Sequence, residues 1–167
     1  MGRFELMKTI DELQTDWLPK FDSLQQQAFL ELWKTYDCLK AEEELVFAEF
    51  EISSQQYNAL RLLKAIAPSS LAVSVLGQRM ITRAPDMTRM LDRLEQRSLI
   101  ARVRRDENRR VVEVTITPAG TKLVQQIAKP IRVCHQRQLG HLPDEQLMQL
   151  IALLRAARKP DAVAHKP

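Results

Sequence analysis

Between Thr82 and Pro118 the chain changes its apolar period from helical to alternating, and this change most constrains the fold. From Pro85 to Gln96 the spacing predicts an amphipathic helix. Met87, Met90, Leu91 and Leu94 fall at i, i+3, i+4 and i+7, while Arg89 and Arg93 point elsewhere. Two β-like runs follow, Leu99 to Arg104 and Arg110 to Ile116, joined by the charged turn Arg105-Asp106-Glu107-Asn108-Arg109. The order is helix, strand, turn, strand.

The same stretch concentrates the charge. Every basic residue between Ala65 and Thr121 is arginine: Arg79, Arg83, Arg89, Arg93, Arg97, Arg102, Arg104, Arg105, Arg109 and Arg110. Against these ten stand six acids, Asp86, Asp92, Glu95, Asp106, Glu107 and Glu113, an excess equal to the +4 net charge of the chain. Such a concentration is the footprint expected for a polyanionic partner, and arginine's planar fork suits phosphate oxygens and guanine edges alike. The bland alternative is a solvated charged helix followed by a charged hairpin.

The rest of the composition bounds the class. A chain of 167 residues, 45% hydrophobic, can bury a core; four glycines and mostly helix-forming residues predict a mainly α protein. No apolar run approaches the length of a membrane span, and Met1-Gly2-Arg3-Phe4-Glu5 opens no signal peptide. Two cysteines, Cys38 and Cys134, make no disulfide framework, so a reducing cytoplasm is expected.

In chain order, residues 1–20 read as a short helix or arm. A long helix then runs from the cap Ser23 to about Phe50, with Leu24, Ala28, Leu32, Tyr36 and Leu39 on one side. Phe29, Trp33, Val46, Phe47 and Phe50 widen its apolar surface, so it should pack against other long helices, some from a second chain. Ser53 and Gln56 form a capping-box pattern opening a helix to Ala67, with Tyr57, Leu60, Leu63 and Ile66 as its core face. Leu71-Ala72-Val73 reads as a very short strand. Ser74 caps a short helix, Val75 to Met80, and Pro85 suits the first turn of the next; together they make a helix-turn-helix. Gly77 lies inside the first of these, with close packing against the following helix as its compensation. Thr117-Pro118-Ala119-Gly120 starts another helix, with a seam of Leu123, Ile127, Ile131 and Cys134 and a kink expected at Pro130. Leu147, Leu150, Ile151 and Leu154 form the seam of a last helix, and residues from Lys159 read as a frayed tail.

Four strings in this order resemble the MarR (multiple antibiotic resistance regulator) family of winged helix-turn-helix regulators. They are Pro85-Asp86-Met87-Thr88-Arg89-Met90-Leu91-Asp92-Arg93-Leu94-Glu95, Leu99-Ile100-Ala101-Arg102, Asn108-Arg109-Arg110, and Val114-Thr115-Ile116-Thr117-Pro118-Ala119-Gly120. The resemblance covers about Leu24 to Leu154. It implies a mainly α fold with a small β-hairpin wing, in which a winged helix-turn-helix core (53–117) is flanked by N-terminal (1–52) and C-terminal (118–158) dimerisation helices, with a tail at 159–167. It implies a cytoplasmic homodimer presenting two such cores to a pseudo-palindromic duplex. Departures are Asn108, where relatives often have Asp; Ser98, where they often have Gly; and Asp86, where they often have Ser or Thr. Ser98 in a glycine place suggests a turn that does not strictly need positive φ. Asp86 can accept from cytosine N4 but is repelled by phosphate, so it is expected to shape specificity.

The DNA-binding candidates are Ser74, Arg83, Asp86, Thr88, Arg89, Arg93, Arg104, Arg105, Arg109 and Arg110. Arg83, Asp86, Thr88 and Arg89 lie off the apolar face near the helix start and suit base readout, against an intrahelical pairing of Arg89 with Asp92. Ser70, Ser74, Arg79 and Arg97 are candidate phosphate contacts, though caps and solvated side chains explain them as well. Arg105 and Arg109, at the wing tip, suit a minor groove. By resemblance, Thr88 and Arg102 match positions that hold a ligand carboxylate in some relatives, and an arginine beside Trp33 or Tyr36 suits an aromatic acid or phenol. The alternative is a structural Arg102 with core aromatics. Cys38 reads as a buried apolar cysteine rather than a peroxide sensor, and Cys134, His135 and His141 do not match a zinc spacing. No catalytic motif and no cofactor signature is present. The reading is a duplex-DNA-binding transcription regulator, a repressor released by a small aromatic or phenolic effector. The competing reading is a helical protein-interaction adaptor of the same fold that has lost DNA binding.

Overall fold

The computed structural model describes residues 21–81, 86–104 and 111–158, and for Arg104 the backbone alone. The chain divides into two compact units, Met1–Leu39 and Lys40–Pro167. The expectations for residues 1–20, for Arg83, Arg105, Arg109 and Arg110, and for the tail fall outside the described residues.

In the first unit, helix α1 (Leu24–Ala48) begins where the sequence places it. The Ser23 hydroxyl accepts from the Gln26 amide at 3.1 Å, and the Gln26 side chain returns to the Asp22 amide at 2.6 Å. Phe29 and Trp33 meet edge-to-face with centroids 6.1 Å apart. Most of α1's apolar residues are nonetheless exposed in this single chain, Leu24, Phe29, Trp33 and Tyr36 among them. Cys38 is exposed too, a correction to its expected burial: among the described residues nothing closes over its part of the helix.

The second unit has one core. The end of α1 enters it through Phe47, whose ring lies 5.1 Å from that of Tyr57. Helix α2 (Ser54–Ile66) is fixed by the full capping box, Gln56 N donating to Ser53 Oγ at 3.2 Å and Ser53 N to Gln56 Oε1 at 2.9 Å. Its Tyr57, Ala59, Leu60 and Leu63 are buried, with Ile66 only half-buried at its end. Strand β1 (Leu71–Ala72) leads directly into helix α3 (Val73–Arg79). The expected Ser74 cap is corrected: Ala72 occupies that place without a side-chain bond, and Ser74 is an exposed residue of the first turn. Helix α4 (Met87–Gln96) follows the cap Asp86, and its first residue, Met87, is two later than the pattern beginning at Pro85 predicts.

Strands β2 (Ile100–Arg104) and β3 (Val112–Ile116) pair antiparallel, Ile100 with Ile116 and Arg104 with Val112. β1 adds to the other edge of β3, giving the order β1-β3-β2. Val114 at its centre is fully buried, and neighbouring β-branched residues favour the pleated backbone. Helix α5 (Pro118–Leu139) is capped by Thr117 and continues through Pro130, burying Val124, Ile127, Ile131 and Cys134. Helix α6 (Asp144–Ala157) buries none of its residues in this chain; Met148, Ile151 and Leu153 stand exposed.

Candidate nucleic-acid interface

α4 is aimed by what holds its two ends and its inner face. At the start, Asp86 Oδ1 accepts from the Arg89 amide at 2.9 Å, so the acid expected to read a base has a structural role as the cap. Met90, Leu91 and Leu94 are buried and Met87 half-buried, one apolar stripe. At the far end Leu99 N bonds to Leu94 O at 2.9 Å and Ser98 N to Glu95 O at 2.8 Å, the paired bonds of a Schellman stop. Ser98 there has φ 55°, so the expectation that serine marks a turn without positive φ is corrected. The stop itself demands the left-handed backbone, and serine accepts its cost.

α1 ends the same way. Ile52 N reaches Phe47 O at 3.2 Å, Glu51 N reaches Ala48 O at 3.0 Å, and Glu51 has φ 53°. Arg97 joins the two stops, donating to the Phe50 carbonyl at 3.2 Å and, from its other amino group, to that of Glu51. Arg97 therefore ties the two helix ends together. Ser70 is likewise engaged, its hydroxyl donating to the Glu113 carboxylate. Asn58 Oδ1 accepts from the Ile81 amide at 3.1 Å and fixes the point where the turn leaves α3.

Because α4's apolar stripe is fully used, its other residues are committed outward. Thr88, Arg89 and Arg93 are exposed, and the two arginines, four apart, form one row. Among the described residues neither arginine has an ion-pair partner; Asp92, weighed as the partner of Arg89, is taken by Arg102. Ser74 and Arg79 are exposed on α3. Arg104 closes β2 opposite Val112.

Arg102 lies against α4. Its guanidinium reaches Asp92 at 2.6 Å and Glu95 at 3.4 Å and donates to the Thr88 carbonyl at 3.2 Å, while its amide donates to Glu95 Oε1 at 3.3 Å. Thr88 and Arg102 line one open cavity of about 690 Å³ with Ala72, Ser74, Leu91 and Val112. The expected pairing of Thr88 with Arg102 is thus present. Trp33 and Tyr36 belong to the other unit, each more than half exposed. Two carboxylates against one guanidinium leave the Arg102 cluster with a net negative charge, unsuited to a carboxylate ligand.

A second cavity, of about 490 Å³, lies between α2 and α5. Tyr57, Ala65, Val124, Ala128 and Ile131 supply apolar lining, and Arg61, Lys64, Arg132 and His135 the basic groups. The Arg61 guanidinium lies 5.9 Å from the centre of the Tyr57 ring, and His135 Nε2 lies 2.6 Å from Glu43. Burial pushes the Tyr57 hydroxyl's pKa upward; Arg61 opposes this and Glu43 adds to it. Sequence reasoning missed this cluster, although Tyr57, Arg61 and Lys64 recur at i, i+4 and i+7. Among the described residues no group of three or more His, Cys, Asp or Glu could hold a metal ion, and no helix is long and apolar enough to cross a membrane.

Residues 52–112, from just before α2 to the first residue of β3, match the sequence model of the MarR family. A solved MarR transcription factor from Planctomyces limnophilus is 51% identical, over 81% of this chain and 98% of that one, with a TM-score of 0.65. The chain belongs to the MarR family. It is therefore a transcriptional regulator of that family, a family of regulators and not of enzymes. Two further relatives are similar to parts of this chain or to its fold. The HTH-type transcriptional repressor MdtR of Bacillus subtilis is 34% identical over 80 residues, 48% of this chain and about half (52%) of MdtR. BpsR of Bordetella bronchiseptica, solved in a study of how 6-hydroxynicotinic acid regulates its DNA binding, is 21% identical over 79% of this chain and 98% of its own. Its TM-score of 0.71 marks a shared fold.

Proposed function

We propose that this MarR-family regulator is a homodimeric repressor that reads a pseudo-palindromic duplex through α4 and the wing. The observation that carries this is the exposed Arg89–Arg93 row on a helix whose apolar face and both ends are fully engaged. A rigid helix presenting a cationic row suits insertion into a major groove. Thr88 and Ser74 flank the row, and Arg83, Arg104, Arg105, Arg109 and Arg110 add the charge that binds phosphate whatever the sequence. Dimerisation through the segments 1–52 and 118–158 is supported by the apolar residues left uncovered on α1 and α6. That MdtR is a repressor supports the direction of regulation.

For the effector, the BpsR precedent supports a small aromatic acid. The cavity between α2 and α5 fits an organic anion better than the Arg102 cluster does, because its basic groups outnumber the acid beside them and its floor is apolar. Such a ligand lowers DNA affinity if it binds the free form better.

Footprinting of the purified protein on DNA upstream of its own gene, with mobility shifts across a salt series, tests the reading. A protected, two-fold symmetric site whose affinity falls steeply with salt is expected. Salt-insensitive or undetectable duplex binding would instead favour the adaptor reading. Titrating 6-hydroxynicotinic acid into the complex tests release, and Arg61→Ala with Arg132→Ala should blunt it.

A further inference from the structure

We infer that Arg102 is a positioning residue for DNA recognition, a latch by which the wing strand β2 sets the angle of α4; this rests on the reading that α4 carries the base contacts. One side chain from the sheet touches three successive turns of the helix. Thr88, Asp92 and Glu95 are spaced i, i+4 and i+7 and so share one face, and Arg102 contacts each of them. The contacts are of three kinds. A short ion pair at 2.6 Å fixes Asp92, a longer one at 3.4 Å holds Glu95, and a hydrogen bond takes the Thr88 carbonyl. The Arg102 amide adds a fourth contact, to the other oxygen of Glu95, so backbone and side chain of one residue share a carboxylate. Planar guanidinium geometry makes the arrangement directional in a way a point charge is not.

The face so gripped is neither the buried apolar stripe nor the Arg89–Arg93 row. The stripe fixes the depth of α4, and Arg102 fixes its rotation about its own axis. A wrongly rotated helix keeps its charge yet misplaces Arg89 against a base edge. Two acids on a DNA-reading helix repel phosphate, and their service to Arg102 accounts for their presence.

The test uses opposite signs. Electrostatics alone predicts that Asp92→Asn with Glu95→Gln tightens every duplex, since two negative charges leave the interface. A latch predicts instead about tenfold weaker binding to the operator, with binding to unrelated duplex unchanged or tighter. Arg102→Ala should weaken operator binding similarly, and Arg102→Lys less. Fluorescence anisotropy with both duplexes reads this, and thermal unfolding confirms that the variants remain folded. Amide hydrogen exchange over residues 87–92, which needs no DNA, should rise in the carboxylate variant. Operator binding as tight as wild type, or unchanged exchange in that variant, overturns the latch. A wild-type protein that binds no duplex while exchange rises as expected overturns the DNA-reading assignment of α4 and leaves the mechanical tie standing.

Discussion

Gly120 and Leu99 are in such close approach that a Cβ on Gly120 would stand 2.1 Å from the Leu99 carbonyl oxygen. That carbonyl also accepts from the Thr117 amide at 3.2 Å, and the Thr117 hydroxyl joins the Ser98 carbonyl at 2.7 Å. A methyl group there meets fixed backbone rather than a movable side-chain tip. Gly120→Ala is therefore expected to cost about 3 kcal/mol or more, as overpacking against a rigid neighbour does. Urea unfolding measures it, and an unchanged midpoint would mean that the junction of β2 and α5 yields.

Gly77 is the opposite case. Among the described residues a Cβ there meets only the Cε of Met87 at 3.4 Å, an ordinary contact with a flexible end, and its φ is not positive. The close packing expected to compensate for a helical glycine is absent among the described residues. Gly77→Ala should then stabilise the protein by about 0.5–1 kcal/mol. A lower melting temperature in this variant would contradict it.

Ser98 holds a left-handed backbone at φ 55° to end α4. Glycine carries no Cβ penalty in that conformation, so Ser98→Gly should raise stability by about 1 kcal/mol without altering the helix. Differential scanning calorimetry on the two proteins decides the matter, and a loss of stability would show that the Ser98 side chain itself stabilises the turn.

Arg89→Ala removes the more N-terminal member of the exposed row while leaving the Asp86 cap on the residue 89 amide intact. The expected outcome is a loss of about 1–3 kcal/mol in operator binding with selectivity largely gone. Competition against unrelated duplex in mobility shifts reads both quantities. Equal discrimination by the variant and the parent protein would move base readout elsewhere.

Alkaline pH should destabilise the fold in two steps. Burial, with Glu42 and Glu43 adding and Arg137 opposing, raises the pKa of the Cys134 thiol above 9.0, and burial raises that of Tyr57 above 10.0. For each group the folded value lies above the unfolded one. Its contribution is fully present below the unfolded pKa and is lost as pH climbs through the folded one. Denaturation midpoints measured between pH 8 and pH 11 should fall from about pH 9 onward, and Cys134→Ala should delay the decline. Midpoints flat across that range would contradict the shifts.

The periodic parts of the chain declared themselves. The capping box at Ser53 and Gln56, the α4 stripe and the Thr117 cap need only local spacing, and local spacing survives in any tertiary setting. What was hidden depends on contacts far apart in the chain. Arg97 reads as one more arginine until its carbonyl partners at 50 and 51 are in place. Arg102 likewise shows its role only when β2 lies beside Asp92 and Glu95. Ser74 and Ala72 show the reverse failure: a serine looks like a cap, yet pairing of Leu71 and Ala72 with β3 already fixes where α3 starts. Ser98 misled because side-chain identity says little when the hydrogen bonds of a helix end dictate the backbone.

The bond from Arg97 to the end of α1 grips α4 at its rear, just past its last residue, Gln96. Ten helical residues separate that grip from the forward tip, a lever about 15 Å long. A displacement of the carbonyls at 50 and 51 would therefore act on α4 from behind, with its largest effect at the tip near Arg89. If α4 is the helix that reads bases, a strain at its rear grip is expected to act most strongly on Arg89.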